Sequence, residues 1–415
     1  MTETISTNLQ TRTIRTLALA QVLSGVGVAG TVAAGSLLVT SITNSETLAG
    51  IAQTFSVLGA AVMALVLANL TRRGGRRLAL ATGYSIGATG AAIAVIAGNS
   101  ALVPLIFLGT FMIGASSAAG YQARYAAIDL ADDQNRASSL SFVVWASTIG
   151  SVLGPNLLEP LGQVADRLNL PQLTGPFLMA SLSLLAGASL IWLRLKPDPY
   201  LTSLAGSAEV GTITPAKIPF RETFEHIRSN SKSLLGISAI AIGHVTMVSI
   251  MVMTPVHMKH VDVSLRVIGL VISVHIAGMY AFSPLIGKLS DKIGRVKVIA
   301  IAGLVLLASA FIAGFASADN STQLGIGLFL LGLGWSGTLI AGSTLLSETV
   351  SDHYRASAQG VSDLVMNLSG AFGGAIAGVI IATLSYGWLC AIASIPVSLL
   401  TLRAILAQKN DLVAV

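Results

Sequence analysis

Charged residues and cysteine are scarce in this chain. Asp, Glu, Lys and Arg together make up 10% of its 415 residues, against about 25% in an ordinary soluble domain. The only cysteine, Cys390, cannot form an intramolecular disulfide. There is also no glycine-rich phosphate loop and no polar stretch long enough for a soluble catalytic domain. We therefore expect neither an enzyme nor a resident cofactor.

Long apolar runs take the place of the missing charge. Hydrophobic residues account for 53% of the chain, and twelve runs are each long enough to cross the roughly 30 Å hydrocarbon core of a bilayer. Backbone polar groups inside lipid must be satisfied within the segment, so these runs should be helices. The sequence thus predicts an all-α integral membrane protein with twelve transmembrane helices. The runs span residues 17–40, 47–70, 76–98, 101–124, 138–159, 174–195, 233–256, 265–287, 296–317, 321–347, 357–384 and 386–407.

The basic residues indicate how the chain lies in the membrane. Of its 24 Lys and Arg, 21 lie on the side of the spans that carries both termini. Because cytoplasmic loops are enriched in Lys and Arg, we predict a multi-pass membrane protein with both termini in the cytoplasm. The net charge of +6 is then explained by the enrichment of Lys and Arg on the cytoplasmic side. The lipid bilayer is an expected partner, and nucleic acid is not.

The second half of the chain repeats the first at a constant offset of 219 residues. Residues 287–295 correspond in this way to 68–76, each after a predicted span. Self-similarity at a fixed offset indicates copies of one structural unit. We expect two pseudo-symmetric six-helix halves, 1–195 and 233–415, joined by a cytoplasmic linker over 196–232 with a short helix around 220–230. The same offset carries Glu348, Arg355, Ala356 and Ser357 onto Asp129, Arg136, Ala137 and Ser138.

One of the repeated segments carries a family signature. Gly287, Asp291, Lys292, Gly294 and Arg295 form the pattern Gly-x-x-x-Asp-Lys-x-Gly-Arg. This pattern resembles the loop signature of the major facilitator superfamily. The resemblance covers essentially the whole chain and implies the transporter fold of that superfamily. The first-half copy departs from the pattern, because a basic residue stands where the acid belongs.

Charges near this loop are candidates for a latch at the cytoplasmic ends of the helices. We expect Asp291 to pair with Arg295 or Arg355 through charge-assisted hydrogen bonds. Glu348 is expected to pair with Arg355 in the same way. The alternative is a set of solvated charges that serve membrane orientation only. The predicted gating set comprises Gly287, Asp291, Gly294, Arg295, Glu348 and Arg355.

Methionine and histidine are concentrated in one short stretch. Nine of the sixteen Met and His residues of the chain lie between His244 and Met279. Thioether sulfur and imidazole are softer ligands than oxygen, and the combination favours Cu(I) over hard cations. The stretch is otherwise apolar, so we predict that these groups lie within the membrane, where such groups mark a transport pathway.

Four of these residues form two pairs with the same spacing. Met247 and Met251 lie four residues apart in the seventh span, and therefore on one helix face. His275 and Met279 have the same spacing in the eighth span. A helix rises about 1.5 Å per residue, and this rise, counted from the cytoplasmic end of each span, places both pairs near mid-membrane. The sequence therefore predicts a ladder of four ligands. Taken singly, each residue also fits a gap-filling methionine or a histidine bonded to a neighbour. The corresponding first-half residues are Val28, Val32, Ser56 and Ala60.

The two pairs resemble the motifs of one family. Met-x-x-x-Met in span seven and His-x-x-x-Met in span eight are similar to those of the CcoA-type copper importers of bacterial inner membranes. The resemblance implies that the chain lies in the bacterial inner membrane and that copper is the transported substrate. It also implies import by alternating access, delivery to a cytoplasmic copper acceptor, and supply of cbb3-type cytochrome c oxidase assembly. The implied copper ligands are Met247, Met251, His275 and Met279.

Four neighbouring residues extend the predicted pathway. His244 lies one turn inward of Met247 and is expected to act as a further ligand or as a proton acceptor. His257, Met258 and His260 lie at the outer end of the seventh span, where we expect them to collect metal at the entrance. An interfacial polar role is the alternative for these three.

A proton-coupled carrier of an organic molecule, for riboflavin uptake or drug-like efflux, is the main alternative. Relatives of the copper importers are linked to riboflavin uptake, and residues 150–155, Gly-x-x-x-Gly-Pro, resemble a motif of proton-driven exporters. The same motif also suits close helix packing. Asp363, inside the eleventh span, is a candidate for proton coupling, although pairing with Arg124 explains it equally well. Trp145 and Trp335 are candidates to line a cavity. A copper sensor is a third class, which the two-half scaffold disfavours.

Overall fold

The structure, a computed structural model, describes residues 2–44, 46–206, 218–259 and 263–413. All regular elements in these ranges are helical, and a single 3₁₀ turn lies at Gln172–Thr174. The predicted entrance residue His260 lies outside the described residues. The α-helices are α1 Thr2–Thr43, α2 Glu46–Asn99, α3 Val103–Ala126, α4 Arg136–Asn156, α5 Leu158–Arg167, α6 Gly175–Arg194, α7 Pro199–Gly206, α8 Phe220–Ser229, α9 Ser231–Lys259, α10 Leu265–Tyr280, α11 Ser283–Ile293, α12 Arg295–Gly314, α13 Ser321–Thr349, α14 Asp352–Thr383 and α15 Tyr386–Val413.

These helices account for the twelve predicted spans. Within the described ranges, 10 helices are long and apolar enough to cross a membrane, or 11 if the bent pair α4 and α5 is one span. Helix α2, with 54 residues, contains two predicted spans because its backbone breaks at Gly75. Helices α10 and α11 together form one span, interrupted after Tyr280. The structure therefore confirms an all-helical membrane protein with a twelve-span, two-half architecture.

The internal repeat is visible in the backbone. Gly75 has a φ of 81° and Gly294 a φ of 94°, and the two residues are separated by the offset of the sequence repeat. Positive φ values of this kind favour glycine, because a Cβ atom would be strained there. Each glycine separates the helix that ends one span from the helix that begins the next.

The chain divides into two compact units that do not coincide with the sequence halves. Unit 1 comprises Met1–Ala131, Ala146–Thr223 and Asp352–Asn367. Unit 2 comprises Asp132–Trp145, Phe224–Ser351 and Leu368–Val415. Each unit thus includes the beginning of one helix from the other sequence half, namely α14 in unit 1 and α4 in unit 2. The short linker helix predicted around 220–230 is α8, and linker residues 207–217 lie outside the described ranges.

Small residues allow the helices to pack closely. In unit 1, a Cβ atom at Gly25 of α1 would lie 2.9 Å from the Cα atom of Gly150 in α4. In unit 2, a Cβ atom at Gly236 of α9 would lie 2.9 Å from the carbonyl oxygen of Gly342 in α13. Such backbone contact is a common means of association between membrane helices. Gly150 therefore has a packing role, which is one of the two interpretations of its motif.

Candidate functional site

His275 is the most deeply buried member of the predicted ladder. It lies on α10 with 0% of its surface exposed, and its Nδ1 atom is 2.7 Å from the backbone carbonyl oxygen of Leu328 on α13. A carbonyl oxygen can only accept, so Nδ1 carries the proton and donates it. In the neutral ring, Nε2 then presents a lone pair. This atom is buried and has no hydrogen-bond partner within the described part of the chain.

The methionines of the two pairs also lie in unit 2. Met279, one turn after His275 on α10, is 7% exposed, and Met247 on α9 is 4% exposed. Met251, one turn further along α9, is half-buried. Three of the four predicted ligands are therefore buried, as a site inside the membrane requires.

Helix α13 connects the two pairs. It packs along both α9 and α10, which touch each other at few points. The packing on α10 is close, since a Cβ atom at Gly332 of α13 would lie 2.5 Å from the carbonyl oxygen of His275. Among the described residues, no group of three or more His, Cys, Asp or Glu is placed to bind a metal.

His244 has a tryptophan partner that sequence reasoning missed. Nε1 of Trp335 on α13 donates to Nδ1 of His244 on α9 over 3.0 Å. Tyr280 of α10 packs edge-on against Trp335, with ring centroids 5.7 Å apart. The Nδ1 lone pair of His244 is thereby engaged, so any ligand or proton role of this residue has to use Nε2. Trp335 is 2% exposed and supports the histidine, while Trp145 lies beside Phe142 in α4.

The predicted entrance residues at the outer end of α9 are tied to neighbouring elements. The ring of His257 stacks on Tyr386 of α15, with 4.4 Å between ring centroids. Its Nε2 atom lies 3.4 Å from the carbonyl oxygen of Ala316. Met258 is fully buried. Both residues thus have packing roles in unit 2, whatever part they play at an entrance.

In unit 2 the predicted gating loop joins α11 and α12 to the beginning of α4. The Asp291 carboxylate accepts from the backbone N–H groups of Ala137 at 3.0 Å and Ser138 at 2.8 Å. A negative charge is favoured at a helix N-terminus, where these groups are exposed. Arg295 pairs with Asp291 at 3.1 Å and with Glu348 at 2.8 Å. The loop charges therefore form a connected network and are not separately solvated.

The partner of Arg355 differs from the expected one. Glu348, at the end of α13, pairs with Arg295 at the beginning of α12. Arg355 instead pairs with Asp352, three residues earlier in the first turn of α14. Gly287 of the same predicted set lies where a Cβ atom would be 2.6 Å from the carbonyl oxygen of Ala137. The glycine thus permits α11 to approach α4 closely.

Unit 1 contains the counterpart of this network at the same sequence offset. Nε of Arg76 donates to Asp129 over 2.7 Å, and both side chains are 1% exposed. This pair corresponds to Arg295 and Glu348 of unit 2. Nη2 of Arg76 also donates to Gln359 of α14 over 2.5 Å. Sequence reasoning did not single out this pair, although the repeat offset applied to Arg295 and Glu348 points to it.

Asp363 is paired with Arg124 inside unit 1. Nη2 of Arg124 on α3 donates to Oδ1 of Asp363 on α14 over 2.6 Å, and the two side chains are 2% and 0% exposed. This is the pairing that the sequence allowed as an alternative to proton coupling. The second oxygen, Oδ2, is buried and has no hydrogen-bond partner in the described part of the chain. The beginning of α14 is thus bound to α3 by a buried ion pair.

Comparison with known proteins identifies the family. The sequence matches the family described as Major Facilitator Superfamily over residues 17–264 and 235–411. It is 36% identical over 380 residues to YddS, an uncharacterized MFS-type transporter of Bacillus subtilis, covering 91% of this chain and 86% of the relative. It is 29% identical over 360 residues to the riboflavin transporter RfnT of Brucella anthropi, covering 86% and 85%.

Solved structures share the fold. A bacterial homologue of the iron transporter ferroportin, in an outward-facing state, matches with a TM-score of 0.74 at 12% identity, over 96% of this chain and 99% of that chain. The human organic anion transporter TETRAN matches with a TM-score of 0.72 at 16% identity, over 95% and 99%. At these identities the likeness concerns the fold alone.

Proposed function

We propose that this chain, which belongs to the major facilitator superfamily, imports copper across the bacterial inner membrane. The observation that carries the proposal is the state of His275, whose Nδ1 atom donates to Leu328 while Nε2 is buried with no partner among the described residues. In metal-binding histidines the N–H group of the other ring nitrogen commonly donates a hydrogen bond to a carbonyl or carboxylate, which fixes the tautomer and the ring orientation. Nε2 of His275 is therefore oriented and unprotonated, as a copper ligand has to be.

The proposed ligand set is soft and incomplete. Met279 supplies a sulfur one turn from His275, and Met247 and Met251 supply sulfurs from α9, with Nε2 of His244 as a further donor. Soft sulfur and imidazole ligands favour Cu(I). Transport needs binding that is favourable enough for the ion to enter and weak enough for it to leave. Two or three ligands at a time, exchanged along the ladder, meet both needs better than a closed cage.

The charged networks supply the proposed inner gate. Transporters of this family carry substrate by alternating access of two repeats around a central site. Asp291 and Arg295 tie α11 and α12 to α4, so a change of access that separates these helices has to break their contacts. Asp363 is the proposed proton-coupling residue, with Oδ2 as the oxygen that takes the proton. Delivery to a cytoplasmic copper acceptor and to cbb3-type oxidase assembly belongs to the same proposal.

A proton-coupled carrier of an organic molecule is the second candidate. The relative that favours it is RfnT, a riboflavin transporter 29% identical to this chain. The half-buried ring of Tyr280, which packs edge-on against Trp335 in unit 2, offers an aromatic surface for a planar ring, since aromatic side chains favour edge-to-face and offset stacking. The two candidates make opposite predictions for one experiment.

Uptake of radioactive copper by cells that lack their own importer tests the proposal. The chain is compared at matched expression with Met247→Leu, which removes sulfur at nearly constant volume, and with His275→Asn. The asparagine side-chain amide retains a donor for the Leu328 carbonyl but lacks Nε2. Met366→Leu is the matched control, because Met366 is equally buried and lies outside the predicted ligand set.

The proposal predicts copper uptake by the parent and by Met366→Leu, with at least about tenfold loss in the other two variants. An interaction of about 1.4 kcal/mol suffices for such a loss. Absence of copper uptake by a well-expressed parent, together with uptake of radiolabelled riboflavin, would contradict copper import and establish the second candidate.

A further inference from the structure

A basic pocket lies at the predicted cytoplasmic ends of α1 and α6 in unit 1. Its volume is about 460 Å³, and its described lining includes Arg12, Arg15 and Arg194, with no acidic side chain among the described residues. This volume falls in the range of about 300–1,000 Å³ found for small-molecule sites. Three positive charges therefore share one cavity whose described wall contains no carboxylate.

The three arginines differ in their contacts. Nη2 of Arg12 donates to the backbone carbonyl oxygens of Arg194 at 3.1 Å and Lys196 at 2.7 Å, so it holds the end of α6 against α1. The side chains of Arg15 and Arg194 make no hydrogen bond or ion pair with the described residues. Both side chains are exposed. Arg12 thus positions the pocket, whereas Arg15 and Arg194 are available to a ligand.

The same pocket includes an exposed apolar side chain. Arg12, Arg15 and Leu19 follow one another at helical spacings of three and four residues, so they lie on one face of α1. Leu19 lines the pocket and is 52% exposed, on a helix long and apolar enough to cross the membrane. A ligand in this place therefore meets cations at its polar end and an exposed apolar surface beside them.

From this arrangement we infer that the pocket binds the phosphate headgroup of an anionic phospholipid of the cytoplasmic leaflet. Guanidinium groups recognise phosphate through paired, charge-assisted hydrogen bonds. Basic pockets between membrane helices on the cytoplasmic side commonly bind acidic lipid headgroups. Arg15 and Arg194 contact the phosphate, and Leu19 packs against the first part of an acyl chain. The inference does not depend on which cargo the transporter carries.

Lipid binding to the purified full-length chain in detergent tests this site. Dioleoyl-phosphatidylglycerol is titrated against the parent and against the double variant Arg15→Gln/Arg194→Gln, with dioleoyl-phosphatidylcholine as the neutral lipid. Each basic residue near an anionic membrane surface contributes about 1 kcal/mol. Since about 1.4 kcal/mol is a factor of ten, the double variant is expected to bind phosphatidylglycerol about 30-fold more weakly.

Two further variants make the result specific. Arg15→Lys/Arg194→Lys retains both charges and is expected to lose far less affinity. Lys297→Gln/Arg403→Gln removes two exposed cations of other helices and should bind as the parent does. Phosphatidylglycerol affinity unchanged in Arg15→Gln/Arg194→Gln would overturn the inference. Displacement of the lipid by equimolar inorganic phosphate would also overturn it, because the pocket would then be a site for a soluble anion.

Discussion

Removal of one partner from the buried ion pair between Arg124 and Asp363 should destabilise unit 1 strongly. Its two side chains are 2% and 0% exposed, and the bond between them is 2.6 Å long. Asp363→Asn removes the negative charge and leaves Arg124 buried with an uncompensated positive charge. Removal of one partner of a buried pair costs about 3–5 kcal/mol.

Thermal unfolding of the detergent-purified protein measures this effect. For soluble domains of about 150–250 residues, 1 kcal/mol shifts Tm by about 2–4 °C, so Asp363→Asn is expected to lower Tm by about 6–20 °C. Asp352→Asn is the matched control, since Asp352 lies on the same helix in a pair with Arg355 that is 43% exposed on the acid side. Pairs of that kind contribute about 0–1 kcal/mol.

The double variant Arg124→Gln/Asp363→Asn completes the comparison. Because it removes both charges, it should be less destabilised than the sum of the two single variants. A Tm for Asp363→Asn no lower than that for Asp352→Asn would refute the reasoning. Strictly additive losses in the double variant would refute it as well.

Two further changes follow from the packing and from the tryptophan bond. Gly150→Ala places a Cβ atom against the backbone of Gly25 and should destabilise the protein by about 1–3 kcal/mol, measured as a lower Tm. Gly325→Ala is the control, because a Cβ atom there would meet no atom of the described residues within 4 Å, and it should be neutral or stabilising. Equal Tm values for the two variants would contradict the close contact. Trp335→Phe removes the donor to Nδ1 of His244. The loss should cost about 1–3 kcal/mol, because a buried acceptor is left without its donor, and circular dichroism should show a lower Tm. An unchanged Tm would show that the bond adds nothing to stability.

The helical architecture could be predicted from the sequence because lipid leaves few alternatives. A run of about twenty apolar residues has to satisfy its backbone internally, so length alone predicts a span. The repeat offset likewise located Gly294 and its partner Gly75, whose backbone angles agree. These features depend on local sequence and on a regular period.

Contacts between distant helices could not be predicted in the same way. The bond from His275 to Leu328 crosses from α10 to α13, and periodicity does not specify which carbonyl a buried ring meets. Glu348 pairs with Arg295 where the sequence suggested Arg355, because the choice among nearby cations depends on where α12 begins. The pairing of Trp335 with His244 left no signal in the local sequence. Which ligands serve copper stays a prediction.

Anaerobic Cu(I) binding to the purified chain, read by X-ray absorption at the copper edge, tests the copper site most directly. The account predicts bound copper with sulfur and imidazole nitrogen neighbours, the nitrogen signal being reduced in His275→Asn and kept in Met366→Leu. Copper bound through oxygen or nitrogen alone, or an unchanged spectrum in His275→Asn, would contradict the account.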